Sequence, residues 1–238
     1  MRRAAHHEHR MFAKSNSLLT QNPIQREKMY EALAYFSANV RHPGLIKLLK
    51  LVYYLDLMHF RRTGRTVTGL TYEAWPMGPV PASLYEEFKS PSSPLHERFV
   101  VTDAQRVFEE TSPTTIDTDI EDLERAASAT PKAYYKPGGL KPVHRYQQLH
   151  LSKREHELAA QLAEIFRDAK AEDMSDISHS KFGPWRKTLH KAKKAGIKRP
   201  VIDLQEGVVA VGRPDDELSA EELQEILEER AALERSLL

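Results

Sequence analysis

The sequence predicts a mainly α-helical fold with a small antiparallel β element, an α+β domain built around one central apolar helix. Three observations carry this. The run from Leu45 to Arg62 is apolar over most of its circumference, as suits a helix enclosed by others. Two capping boxes, Ser152 with Glu155 and Ser219 with Glu222, mark further helix starts. Alternation with a period of two is confined to short stretches, the clearest being Leu70, Tyr72 and Ala74.

In chain order, residues 1–22 are polar and aperiodic and read as a flexible tail. From Ile24, Met29, Leu33, Phe36 and Val40 recur at helical spacing until His42-Pro43-Gly44 breaks the pattern. The central helix follows, with Arg61 and Arg62 in its last turn and Gly64 to stop it. A strand ends at Pro76, and Met77-Gly78-Pro79-Val80-Pro81 then makes a rigid corner, with Gly78 held extended by its following proline. A short helix carries Val80, Leu84 and Phe88 on one face. Phe99–Val101 and Arg106–Phe108 form a candidate hairpin, and 111–146 is a variable insert with a candidate helix near Ile120–Ala129.

After Ser152, a helix presents Leu158, Leu162, Ile165, Phe166 and Ala169 as one stripe. A hairpin of Val201–Leu204 with Val208–Val211 and a capped helix with Leu223, Ile226, Leu227 and Leu233 complete the chain. The expected division is a tail at 1–22, one domain over 23–200, and a C-terminal hairpin and helix over 201–238.

Composition narrows the function. Lys and Arg number 35 against 34 Asp and Glu, so no global field draws the protein to nucleic acid or membrane. With no cysteine, disulfides, thiol nucleophiles and zinc–thiolate sites are excluded. No apolar run reaches the roughly 18 residues of a membrane span, and a cytoplasmic location is expected.

Asp56 and His59, three apart on the buried stripe of the central helix, are the candidate polar pair. A carboxylate beside an imidazole suits general acid–base work or metal ligation. A hydrogen-bonded pair in the core is the simpler reading, because no nucleophile or third ligand follows at a recognised spacing. His6, His7 and His9 lack the supporting groups of a real metal site. A triad of Ser178, His179 and Asp56 can be drawn, but no nucleophile elbow, phosphate loop, dinucleotide fingerprint or zinc-protease helix is present. No cofactor, metal or catalysis is expected.

Lys181 to Arg199 is a basic run, and Asp215 to Glu229 an acidic one that could neutralise it. The basic run is the one place where nucleic acid could bind. Tyr72, Trp75, Met77, Pro79, Tyr85, Tyr134, Tyr135 and Trp185 are the candidate partner-binding residues, being rigid groups at chain corners or in the insert. Core packing is the commoner fate of such aromatics.

The block Leu48-Leu49-Lys50-Leu51-Val52-Tyr53-Tyr54-Leu55-Asp56, followed by Gly64, Gly69, Tyr72-Glu73-Ala74-Trp75-Pro76-Met77-Gly78-Pro79-Val80 and Leu84-Tyr85, resembles the signature of the Panacea domain of SocA-like antitoxins. Ser178-His179 with Pro184-Trp185 is similar to that family's later motif. The resemblance is clear over about residues 45–90, thinner over 150–190 and absent at both ends. It implies a helical scaffold encoded beside a toxin gene in bacteria or phages, which neutralises the toxin by direct contact. Some members also deliver a toxin to a cytosolic protease. Specificity is then expected in the variable parts, namely the tail, 111–146 and the region after 190, and no helix-turn-helix module is recognisable for DNA binding. The expected mode is masking, with the Trp75–Val80 corner and the Tyr134–Tyr146 loop forming one toxin-binding surface.

Overall fold

The computed structural model describes residues 21–102, 139–179, 183–208 and 216–236. Among them are eight α-helices and two two-stranded antiparallel sheets, the mainly helical α+β fold that the sequence predicts. Helix α1 (Pro23–Asn39) opens on a capping box of Asn22 and Gln25, with Pro23 in its first turn, and buries Met29, Leu33 and Phe36. Gln21 also belongs to the folded part, because its side-chain amide donates to the Thr68 carbonyl at 2.6 Å.

Helix α2 (Leu45–Thr63) is the centre, and residues 47–57 are buried without a break. It is enclosed by α1, by α5 (Lys153–Ile165), by α6 (Ala171–Ser178) and by strand β2 (Gly78–Val80). Gly64 ends it in the left-handed conformation. Strand β1 (Glu73–Trp75) pairs antiparallel with β2 in the register Glu73↔Val80 to Trp75↔Gly78. The proline corner is therefore one arm of a hairpin. Gly78 departs from the extended shape expected of it and takes a φ of +114°.

Helix α3 (Ala82–Lys89) buries Leu84, Tyr85 and Phe88, and α4 (Pro94–Arg98) adds a turn before β3 (Phe99–Thr102). The expected hairpin partner of β3, Arg106–Phe108, lies outside the described residues, as does the helix near 120–129. The partner observed is β4 (Gly139–Pro142), paired Phe99↔Pro142 to Thr102↔Gly139. Part of the segment read as irregular thus closes a sheet, with Leu140 in the core.

Helix α5 begins at the predicted Ser152–Glu155 box. Leu158, Leu162 and Phe166 face the core with Ala159 and Ala163, but Ile165 is exposed, since the buried stripe passes on its other side. Helix α7 (Pro184–Ala195) follows. Of the expected C-terminal hairpin, Val201 faces Glu73 of β1 and Leu204–Gly207 is a 3₁₀ turn, while residues 209–211 lie outside the described residues. Helix α8 (Ala220–Ser236) starts at the predicted Ser219–Glu222 box and buries Leu223 alone. The acidic residues before it pair with α2, Arg61 with Glu217 and Arg62 with Asp216, while Lys187 and Lys191 of the basic run reach Glu206. Each charge meets the nearest packed neighbour, and sequence blocks do not decide the pairing.

Two buried charges lock helix ends. Lys47 donates to the carbonyls of Arg41, Arg167 and Ala169 at 2.8–3.0 Å, satisfying acceptors that α1 and α5 leave behind. Burial holds its ammonium below the usual lysine range. The Glu31 carboxylate accepts the N–H groups of Leu149, His150 and Leu151 in front of α5.

Glu155 lies 2.6 Å from the Lys28 ammonium. Burial alone would raise its carboxyl, but Lys28 and the Ser152 N–H outweigh that and hold it below the ordinary range. A depressed folded value adds stability above the unfolded value of about 4.3, which disappears as the pH falls through the folded one. Lys28→Met is expected to lower the melting temperature by roughly 2–4 °C at neutral pH and by progressively less towards about pH 3. Melts that show a constant deficit across this range would refute the assignment.

Candidate functional site

The blocks singled out in the sequence converge on the β1–β2 hairpin. Its base is set by Asp56, which is fully buried on α2. One carboxylate oxygen accepts the Val67 N–H at 2.7 Å and the Thr68 N–H at 2.9 Å. The other takes the Thr68 hydroxyl and the Tyr72 hydroxyl, the latter at 2.7 Å. Burial raises this carboxyl and the hydrogen bonds oppose the rise. The four donors fix the turn after α2 and the residue that precedes β1.

His59 is buried as expected, but Asp56 and His59 are not a pair. The His59 Nδ1 lies 2.7 Å from the Arg65 carbonyl and 3.1 Å from the Thr63 hydroxyl. Three residues separate the two on α2, yet Asp56 turns to residues 67–72 and His59 to the helix end. Both Asp56 oxygens are filled and the His59 Nδ1 is taken up at the helix end, and no cluster of His, Asp and Glu among the described residues could hold a metal ion.

Lys50 carries the tip of the hairpin. It is 2% exposed, and its ammonium donates to the Met77 carbonyl at 3.0 Å and to the Ser178 hydroxyl at 3.2 Å. Ser178 in turn donates to the Ser175 carbonyl. A Cβ on Gly78 would stand 2.6 Å from the Lys50 nitrogen and 3.0 Å from the Ser178 oxygen, in a backbone conformation that L residues rarely adopt. The glycine is required by this close approach. His179 stacks on Trp185 at 4.0 Å between ring centroids, and the Trp185 indole donates to the Trp75 carbonyl at 2.9 Å.

Trp75 is half-buried. Its indole N–H donates to Glu73 at 2.8 Å, its ring meets Tyr85 edge-to-face with centroids 4.9 Å apart, and the Arg199 guanidinium lies 4.7 Å over its ring. Of the candidate partner-binding residues, Tyr72, Pro79, Tyr85 and Trp185 are buried and support the hairpin from below, while Trp75 and Met77 keep part of their surface. Tyr134 and Tyr135 lie outside the described residues. Tyr146 packs on Tyr35 and His156, on the α1 and α5 side. There a groove of about 540 Å³ runs between α1 and residues 142–150, lined by Tyr30, Phe99, Tyr146 and Leu149 among others.

The two lysines are what sequence reasoning undervalued. Lys47 and Lys50 stand three apart in the buried stretch of the central helix that also holds Asp56. Charges on an enclosed helix are a signal in themselves, since burial without partners is costly.

Fold and site define a class first: a helical scaffold in which buried polar side chains hold a small hairpin. The family model described as the antitoxin SocA-like Panacea domain matches residues 48–186, and the chain belongs to this family. No curated protein and no solved structure matches it.

Asp56→Ala is expected to cost about 3–5 kcal/mol, because four donors lose a buried acceptor. Gly78→Ala is expected to cost about 1–3 kcal/mol through the strained backbone and the displaced Lys50. Urea unfolding measures both, and wild-type midpoints for either variant would contradict these roles.

Proposed function

We propose that this protein is an antitoxin that neutralises a cognate protein toxin by direct binding, and that it is not an enzyme. The observation that carries the reading is the use made of the chemistry-bearing residues. Asp56, Lys50, Ser178 and His179 are the groups from which a hydrolase could be assembled, and each supports the hairpin from within. What the family domain then offers a partner is shape.

The outward face of the hairpin has the composition of a binding anchor. Trp75 is held on three sides, with Arg199 against its ring. Trp and Arg in fixed geometry dominate many interfaces because little side-chain entropy is lost on binding. Covering a toxin's active site needs about 800 Å² per partner, so neighbouring surface, including Met77, joins the contact. No helix among the described residues is long and apolar enough to cross a membrane, and we place this encounter in the cytoplasm.

Co-expression with the product of the adjacent reading frame is expected to restore growth that the product alone arrests, and the two are expected to co-purify. Trp75→Ala, verified as folded by its melting curve, is expected to weaken the complex at least tenfold, about 1.4 kcal/mol. Masking leaves the toxin's cellular half-life unchanged, whereas delivery to a protease shortens it. A complex with RNA would instead lose affinity steeply with salt. Failure of the two proteins to co-purify from cells in which both are soluble sinks the proposal.

A further inference from the structure

Strand β1 has neighbours on both sides. Beyond the edge opposite β2 runs the segment 199–203, where the Ala74 N–H donates to the Pro200 carbonyl at 2.9 Å and the Ile202 N–H to the Tyr72 carbonyl at 2.7 Å. These bonds bracket the Glu73↔Val201 pair. In an antiparallel ladder the bracketed residues exchange no hydrogen bonds with each other, so the N–H and C=O of Val201 point away from β1. By the two-residue period, those of Arg199 and Asp203 do the same. Among the described residues, the N–H groups of Arg199, Val201 and Asp203 and the carbonyls of Arg199 and Val201 have no hydrogen-bond partner.

The side chains alternate in step. Arg199, Val201 and Asp203 are exposed, Val201 by 53%, whereas Pro200 and Ile202 are buried. Proline commonly guards a strand edge, but Pro200 does not guard this one. The N–H it lacks would have pointed at β1.

An open edge is a template for another strand, and this one is self-complementary. If the segment pairs antiparallel with itself about a two-fold axis at Val201, the two valines exchange two N–H···O bonds, and Arg199 faces the partner's Asp203 on both sides of the axis. Opposite charges directly across a ladder stabilise it and like charges destabilise it. We infer that the 199–203 edge is a homodimer contact, with a second copy of this chain as its occupant. A continuous sheet then crosses the two-fold axis, and the edge adjoins the hairpin face that carries Trp75 through Arg199, which lies over the Trp75 ring. An isologous contact of this kind closes on itself. One strand edge is small for an interface, so the dimer is of the weak, concentration-dependent kind.

Sedimentation equilibrium of the full chain over a range of concentrations tests this without any toxin. The wild type is expected to dimerise. Arg199→Asp and Asp203→Arg each set two like-charge pairs against one another and are expected to weaken the dimer about tenfold or more, while the double variant R199D/D203R restores it. Arg199 also lies over Trp75, and Asp203 accepts the Gln205 N–H, so melting curves accompany each variant. Val201→Glu, at an exposed position, puts two carboxylates on the axis and is expected to abolish the dimer from a folded monomer. Amide exchange at Val201 is expected to slow only where the dimer forms. A monomer at every concentration overturns the inference, as does a dimer indifferent to V201E. So does a folded double variant that fails to recover. Protection of the Val201 amide in the monomer would put another segment of the same chain on the edge, and likewise overturns it.

Discussion

The carboxylate of Asp56 is the constraint on which the rest depends. It sits at zero exposure on the central helix and gathers two backbone N–H groups and two hydroxyls from residues 67–72. A buried charge is tolerable only when its acceptor sites are filled, so the chain after α2 has one low-energy course. That course delivers Tyr72 to the core and starts β1 beside it. The hairpin, the segment 199–203 beside it and Trp75 inherit their positions from this point.

Lys47 and Lys50 extend the same logic along α2. Each ammonium is buried and has found acceptors outside the helix, Lys47 at the carbonyls of Arg41, Arg167 and Ala169, Lys50 at Met77 and Ser178. Hydrophobic burial is non-directional, and an all-apolar helix could rotate or slide among its neighbours. Charges three apart with fixed partners prevent that. The central helix thus does two jobs, supplying the apolar core with its leucines and the register with its polar side chains.

This explains how family membership bears on function. The residues of the matched blocks are the internal supports of a hairpin, and they leave outside a half-buried tryptophan under an arginine. A platform supported from within suits a protein that binds a partner, since little order remains to be imposed on binding.

By itself the sequence determined α1, α2, α3, α5 and α8, the caps at Ser152 and Ser219, and the central position of Leu45–Thr63, because periodicity, capping and apolar content are written in neighbouring residues; α4, α6 and α7 were not legible in it. It also placed Asp56 and His59 in the core. The tertiary structure alone decided that these two part company, that β3 pairs with β4 across a long insertion, and that Val201 lies beside Glu73 of β1. It also decided that Tyr72, Tyr85 and Trp185, candidates for partner contact, take the core positions that are the commoner fate of aromatics. The physical reason is range: a helix closes its hydrogen bonds within four residues, whereas a strand or a buried charge is satisfied by whichever segment packing brings near.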